Sequence, residues 1–596
     1  MKRFKLALIL VVVSLALLTT SLQVLACTGV GVGKDASVDG SVMISINQDV
    51  ASYEPWIWYK PAQFYPDGAM RPCPDYPQLQ RWFDIYHNPI DANKIYLPYD
   101  QKTPNPEQAE KFAIPQVPHT LAYFTSCFGV MNEKQVSFSM PTLSCTQALW
   151  NDEGMLRITQ LSDIAAERAH TAREAIKIIG ALAEEYGFRG EYTPGKNLII
   201  GDPNEVWVLN IMQAGPFWTP ESGEPGAIWV AQRIPDDHVC ILPNGMPILD
   251  VDFDDPDNFM YSENLVSTAV EFGWYDLDAG IPFSVAEVYK EGKSDGLGVL
   301  LRKWCCYQLI APSLELPDPY EADKMKDEYG RQYRYPFSVK PDKKVSIADI
   351  HRIMRDKAEG TRFDLTKGPL AGPFGNPHRQ MGINGFYSSY EGGRIAEARP
   401  SGLDQGYGFI AQSRNWLPDP IGGVVWWAPG RPYTTFFSPL YCGITEIEES
   451  YTTANHYEMG EWGENAFWAI SLVDLLTYVA YCEVIQDVEA KQNEMLNHSL
   501  AQIQRIDRKA FELYKSSPTA ARELLTEFCS SFNRVQTDQY WDFARDLIVK
   551  YRYGYINKPI IFGWGAAENI PRVPEKDYWL KWALEYQHEV RGLILE

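Results

Sequence analysis

The position of Cys27 in the sequence could make this residue catalytic. It directly follows Val24, Leu25 and Ala26, a stretch of the kind that a signal peptidase reads. A cut before Cys27 would place an α-amine of pKa about 7.7–8.0 two bonds from the carbon that bears the thiol, whose pKa is about 8.5. The amine can take the thiol proton directly or through one water, so no histidine partner is required. The sequence therefore predicts that Cys27 is a catalytic nucleophile with its own base.

Three further residues are candidates for the same site. Asn47 and Asp49 lie at the end of the second arm of a predicted hairpin that starts at Cys27, which would bring them back beside it. Asp49 would accept a hydrogen bond from the amine, and Asn47 would orient the amine or the substrate carbonyl. Oxyanion donors would be backbone amides or a neutral side chain such as Thr142. For Asn47 and Asp49 alone, a hydrogen-bonded strand end is an equally good explanation, so their roles depend on the cut before Cys27.

Several other kinds of site are disfavoured. The chain has no GxSxG and no HExxH motif, which excludes the common serine and zinc hydrolases. The glycines before Lys34 do not form a phosphate loop, because Asp35 follows the lysine and no helix follows. The acidic run 250–257 lacks the glycine and glutamate of a calcium loop, and the ten cysteines include no CxxC pair. We predict no metal and no organic cofactor.

The first 26 residues and the net charge predict an exported protein. A basic start, an apolar run from Leu6 to Leu18 and the small residue Ala26 make residues 1–26 a signal peptide. The run is shorter than the roughly 20 residues that a membrane span needs, so we expect no integral membrane span after processing. The formal net charge of −23 disfavours nucleic acid and anionic membrane surfaces as partners. A lipoprotein with its lipid on Cys27 is the alternative.

Hydrophobic periodicity predicts an α+β chain with two regions. Alternating apolar residues predict a hairpin over 27–49 and strands near 122–124, 135–139, 197–211, 228–231, 408–412 and 423–428. An amphipathic helix pair is predicted over 161–186, a long loop over 51–118, and a turn at 131–134. Helical periodicity dominates after about residue 465, where Asp474 favours a core helix over a membrane span. We therefore predict a catalytic domain over 27–460 and a helical region over 461–596.

Short motifs are spread over residues 27 to 445 of the sequence. The first are Cys27-Thr28 and Asn47-Gln48-Asp49, and the further stretches are 33–37, 131–136, 167–175, 229–237, 360–364 and 414–423. In their order along the chain, these motifs resemble those of the dipeptidase A and secernin family of N-terminal nucleophile hydrolases.

The resemblance implies a four-layer αββα sandwich, here with a C-terminal helical appendage, and a cysteine-type exopeptidase acting on dipeptides without a cofactor. The chain is more distantly similar to the penicillin V acylase and bile salt hydrolase group, in which an Arg, an Asn and an Asp follow the nucleophile. By motif, Asn47 and Asp49 match that Asn and Asp, and Thr142 lies where the group has an oxyanion Asn. Ile46 stands where the group has Arg.

Three functions follow from these observations. The leading one is an exported dipeptidase, secreted, periplasmic or on the cell surface, that acts on small peptides. The second is an amidase acting on a non-peptide acyl amide, because fold and nucleophile do not fix the substrate. The third is a surface lipoprotein on a decayed hydrolase fold, lipidated at Cys27. The sequence is compatible with an oligomer and does not define its size.

Overall fold

The computed structural model describes residues 27–48, 56–73, 112–191, 193–292, 295–367, 371, 374–377, 406–452, 463–552, 555–557 and 567–569. The predicted signal peptide and Asp49 lie outside these ranges. The described chain mixes helices and strands, which confirms the predicted α+β class. None of its helices combines the length and the apolar character that a bilayer span requires.

The strands of the first half of the chain precede or surround the predicted helix pair. They are β1 (Thr28–Val32), β2 (Val42–Gln48), β3 (Trp58–Lys60), β4 (Gln63–Phe64), β5 (Met70–Pro72), β6 (Ala113–Pro115), β7 (His119–Thr120), β8 (Tyr123–Thr125), β9 (Gly129–Asn132), β10 (Ser137–Ser139), β11 (Gly195–Gly201), β12 (Val206–Gln213), β13 (Ala227–Ile234), β14 (Val239–Pro243) and β15 (Phe259–Tyr261). Those of the second half are β16 (Tyr407–Ser413), β17 (Val424–Ala428), β18 (Ser438–Tyr441), β19 (Tyr555–Asn557) and β20 (Ala567–Asn569).

Eleven α-helices lie in the described ranges, and several begin at side-chain caps. They are α1 (Ile158–Arg168), α2 (Ala172–Tyr186), α3 (Leu265–Glu271), α4 (Val285–Tyr289), α5 (Leu297–Ile310), α6 (Pro319–Ala322), α7 (Ile347–Met354), α8 (Asp419–Gly422), α9 (Ala466–Thr477), α10 (Tyr481–Tyr514) and α11 (Pro518–Tyr551). The hydroxyl of Thr171 accepts from the Glu174 amide at the start of α2. Ser517 caps α11, and Pro518 lies in the first turn of this helix.

Two antiparallel sheets form the centre of the molecule. The six-stranded sheet has the order β14-β1-β2-β16-β17-β18, and the eight-stranded sheet has the order β15-β13-β12-β11-β10-β9-β8-β3. The strands β1 and β2 of the first sheet contact β10, β11 and β12 of the second, so the sheets pack face to face. The strand that begins after Cys27 is therefore an interior strand of its own sheet and is covered by the other sheet.

The predicted hairpin is confirmed, and its glycines explain how closely the sheets approach. β1 and β2 pair antiparallel, with Gly29 opposite Ile46 and Gly31 opposite Ile44. A Cβ atom on Gly29 would lie 2.8 Å from Cδ1 of Ile199 on the facing sheet, and one on Gly31 would meet that sheet at 2.6 Å. Both distances are shorter than carbon atoms tolerate, so a side chain here would push the sheets apart.

Helices cover the outer faces of both sheets. The predicted pair, α1 and α2, is confirmed and packs on the eight-stranded sheet, whereas α5, α7, α10 and α11 contact the six-stranded sheet. The predicted helical region after residue 461 is present, and its buried residues belong to the same hydrophobic cluster as those of the sheets. Arg414, just after β16, forms a buried ion pair with Asp507 of α10 at 2.6 Å. The C-terminal helices are thus bound to the sheet that carries Cys27.

Two local predictions need correction. The turn predicted at 131–134 is shorter, because Gly129–Asn132 form strand β9 and the chain reverses at Glu133 and Lys134, followed by Gln135 at φ 65°. Four residues with one alternation are too few to be recognised as a strand from the sequence. The loop predicted over 51–118 contains short strand pairs where it is described, β3 with β8, β4 with β7 and β5 with β6.

Candidate active site

Cys27 lies at the start of β1 and is 1% exposed. Residues of β1 with odd numbers, Gly29 and Gly31, face the second sheet. By the alternation of side chains along a strand, Cys27 shares that face. Thr28 pairs with Asn47, so extending the register by one residue places Cys27 beside Gln48. The thiol is therefore expected in the space between the sheets, at the end of the strand.

A buried arginine holds the backbone of Cys27. Nη1 of Arg302, on α5, donates to the carbonyl oxygen of Cys27 at 2.7 Å and to Oγ1 of Thr28 at 3.2 Å. The same nitrogen donates to Oδ1 of Asn244 at 2.9 Å, and Arg302 is only 2% exposed. Hydrogen bonds from a charged donor are stronger than neutral ones, so this contact fixes the start of β1. It also brings a positive charge next to Cys27.

Asn47 and Asp49 remain predictions as site residues. The structure places Asn47 on the same face as Thr28, where Nδ2 donates to the Met354 carbonyl oxygen of α7 at 2.9 Å. This is the outer face of the sheet, opposite to the face that Gln48 and Gly29 share. Asp49 lies outside the described residues. The hairpin thus brings Asn47 next to the strand of Cys27, with its amide directed towards the helix layer.

A network of hydrogen bonds connects Thr142 to the environment of Cys27. The Thr142 carbonyl oxygen accepts from Nδ2 of Asn197 at 3.4 Å, and the same amide donates to the Gly245 carbonyl oxygen at 2.8 Å. Asn244, the neighbour of Gly245, accepts from Arg302. The segment containing Thr142 therefore belongs to the same polar region, while the proposed oxyanion role of its side chain remains a prediction.

A second thiol lies close to the first. Sγ of Cys127 is 2.8 Å from the hydroxyl of Tyr407, the first residue of β16. Burial raises the pKa of the Cys127 thiol to about 12; the hydrogen bond with Tyr407 lowers this pKa, and the charge of Glu191 raises it. Cys127 is therefore a protonated thiol at neutral pH, unsuited to act as a nucleophile. The ten cysteines, all of which lie within the described ranges, form no disulfide bond.

A surface cavity lies at the other end of β1. It is lined by Gln232, Arg233, Asp236, His238 and neighbouring residues. Gly33, just after β1, binds the His238 carbonyl oxygen through its amide, which places the cavity a full strand length from Cys27. Within the described ranges, no group of three histidine, cysteine, aspartate or glutamate side chains is arranged to bind a metal ion.

Sequence reasoning missed Arg302, Gln48 and Tyr407. Gln48 could have been found from the alternation of side chains along β2. The even-numbered residues of this strand lie on the same face of the sheet as Cys27. Arg302 lies in the apolar helix 297–310, where a buried charge is an unusual feature that calls for a partner. Tyr407 depends on β16 pairing with β2, a contact between distant parts of the chain that no local pattern indicates.

Comparison with known proteins identifies the family of this chain. The sequence model described as peptidase family C69 matches residues 120–494, which is more than half of the chain. The chain belongs to peptidase family C69. This C69 protein is thus a cysteine-type peptidase, an enzyme that hydrolyses peptide bonds. The matched segment includes Thr142, Arg302 and Tyr407 but begins after the hairpin, so it does not itself cover Cys27.

Individual relatives extend the similarity of this C69 chain beyond the matched segment. A protein of Latilactobacillus sakei named "Probable dipeptidase" is 22% identical over 543 residues, covering 87% of this chain and 95% of the relative. A "Dipeptidase" of Bifidobacterium longum is 25% identical over 540 residues, covering 84% and 87%. A "Probable dipeptidase B" of Streptococcus pyogenes serotype M1 is 22% identical over 505 residues, covering 84% and 88%. These lengths include part of the C-terminal helical region.

Proposed function

We propose that this C69 peptidase is an exported dipeptidase whose nucleophile is the N-terminal Cys27 exposed by removal of residues 1–26. The observation that carries the proposal is the position of Cys27. It is buried at the start of a strand that is paired on both sides, and Arg302 binds its carbonyl oxygen. The names of the relatives support dipeptides as the substrate class. The two sheets packed face to face with outer helices support assignment to the four-layer fold of N-terminal nucleophile hydrolases.

The reaction begins when the Cys27 amine takes the thiol proton and Sγ attacks the peptide carbonyl carbon. The ammonium then protonates the leaving nitrogen as the C–N bond breaks, leaving the acyl group on Sγ as a thioester. A water molecule, deprotonated by the same amine, releases the acid and restores the thiol. Asn47, Asp49 and Thr142 are the proposed partners of the amine and the oxyanion. Arg302 has a positioning role, because it fixes the backbone from which the amine and the thiol of Cys27 project.

The test combines the mass of the mature chain with a substrate panel. We expect a chain that begins at an unmodified Cys27 and that hydrolyses dipeptides in preference to non-peptide acyl amides. A precursor with one extra residue before Cys27 should be inactive, because its amine no longer belongs to the nucleophilic residue. An added diacylglycerol mass would instead support the lipoprotein, and a preference for acyl amides would support the amidase.

Replacing Arg302 by Met is expected to lower kcat/KM for a dipeptide by about 10²-fold, since misplacement of reacting groups by about 1 Å costs that much. The loss should fall mainly on kcat, because Arg302 positions the nucleophile through its backbone. Lys303→Met is the matched control. Lys303 is also buried on α5, but its ammonium lies near the Tyr335 carbonyl oxygen and makes no recorded contact with Cys27. Steady-state kinetics with equal loss in both variants would contradict a positioning role for Arg302.

A further inference from the structure

Gln48 presents an unused acceptor to the space between the sheets. It is 4% exposed, and Oε1 of its side chain is buried with no hydrogen-bond donor among the residues that the structure describes. On one side it follows Asn47, the partner of Thr28, and on the other it pairs with Tyr407 of β16. A buried acceptor without a donor costs about 1–3 kcal/mol, which a bound ligand that donates would recover.

Glu191 presents a second unused acceptor, with a negative charge. One carboxylate oxygen, Oε2, binds Nζ of Lys196 at 2.7 Å, and both side chains are 5% exposed. The other oxygen, Oε1, is buried, and no donor from the described part of the chain reaches it. A buried carboxylate usually has its oxygens hydrogen-bonded, so the second oxygen requires an explanation.

The two acceptors border the same region. Tyr407, the cross-strand neighbour of Gln48, contacts Cys127 at 2.8 Å. Glu191 binds Lys196, and the next residue, Asn197, donates to the carbonyl oxygens of Thr142 and Gly245, beside the Asn244 that Arg302 binds. On the eight-stranded sheet, Lys196 pairs with Thr142 in an isolated antiparallel bridge. Gln48 thus comes from one sheet, and Glu191 from the chain just before β11 of the other.

We propose that Gln48 and Glu191 bind the free α-ammonium group of the peptide substrate. An ammonium group has three N–H donors and one positive charge, which suits a neutral acceptor together with a carboxylate oxygen. Bound there, the amino-terminal residue of the substrate would present its carbonyl to Cys27, which lies beside Gln48. The enzyme would then require an unblocked N-terminus. This inference rests on the proposed function and adds the residues that select the substrate.

The test compares the hydrolysis of Ala-Ala with that of N-acetyl-Ala-Ala by the mature full-length chain. The wild-type enzyme should strongly prefer the free dipeptide. Gln48→Leu and Glu191→Gln should each lower kcat/KM for Ala-Ala by about 10–100-fold, mainly through KM, which corresponds to the loss of a charge-assisted hydrogen bond. Hydrolysis of the acetylated peptide should change by less than about threefold, because it has no ammonium group to bind.

Gln412→Leu is the matched control, since Gln412 is a buried glutamine of β16 whose amide binds Asp39 and Ser41 at the far end of β2. It should leave the ratio of the two substrates unchanged. If Glu191→Gln fails to fold because Lys196 loses its partner, Gln48→Leu decides alone. An equal loss on both substrates, or no loss, would overturn the inference and leave the proposed dipeptidase intact. Absence of Ala-Ala hydrolysis by the wild-type enzyme would contradict the proposed function instead.

Discussion

Cys27→Ala is expected to lower kcat/KM for dipeptides by about 10⁴-fold or more, the scale seen when a covalent nucleophile is removed. On the proposed mechanism, the alanine keeps the N-terminal amine but has no atom that can form the thioester. The variant should fold normally, because Cys27 contributes its carbonyl oxygen, which alanine retains, to the contact with Arg302. Steady-state kinetics and a urea unfolding curve measure the two effects separately.

The control for this substitution is Cys127→Ala. Cys127 is the second buried thiol of the same region, and its pKa of about 12 keeps it protonated. We expect Cys127→Ala to lose some stability, by about 1–2 kcal/mol from the cavity and the contact with Tyr407, and to retain most activity. Activity retained in Cys27→Ala, or lost only in Cys127→Ala, would move the nucleophile away from Cys27.

Asp507→Ala is expected to lower the free energy of unfolding by about 3–5 kcal/mol, the cost of leaving a buried charge without its partner. Asp507 accepts two hydrogen bonds from Arg414 and one from the hydroxyl of Tyr441 at 2.7 Å. Arg414 is 4% exposed and also binds the carbonyl oxygens of Ile421 and Gly422. The substitution therefore weakens the connection between α10 and the six-stranded sheet.

A surface ion pair provides the comparison for Asp507. Asp542 and Arg545 of α11 pair at 2.6 Å, but their side chains are 73% and 63% exposed. Asp542→Ala should change the free energy of unfolding by less than about 1 kcal/mol. Urea unfolding of both variants measures the difference. Similar small effects would show that the C-terminal helices contribute little to the stability of the sheet.

The hairpin of β1 and β2 shows what sequence could predict. Alternating apolar residues predicted both arms, and the structure confirms the pairing. The same alternation also assigns each side chain to one face of the sheet. The family motif, however, indicated Asn47 as the site residue and not Gln48. Local periodicity was sufficient for the strand, whereas the choice of face also required knowing which face the second sheet covers.

Arg302 and Tyr407 show why the rest could not be predicted. Arg302 lies 275 residues after Cys27, and Tyr407 lies 280 residues after Cys127. Both contacts depend on how helices and strands from distant parts of the chain pack, and no local pattern encodes them. The C-terminal helices were predicted as helices, but their shared core with the sheets follows only from tertiary packing.

The interior position of β1 in its sheet has a consequence for when the leader could be removed. β1 is hydrogen-bonded on both sides, to β14 and β2, and Cys27 at its start is 1% exposed. A protease cuts an accessible, extended chain, so a residue enclosed in this way is a poor substrate once the sheet has formed. On the proposed function, the leader must therefore be removed before the six-stranded sheet closes. Folding would then bury a nucleophile whose amine cleavage had already exposed. A chain that folded before cleavage would remain a permanently inactive precursor.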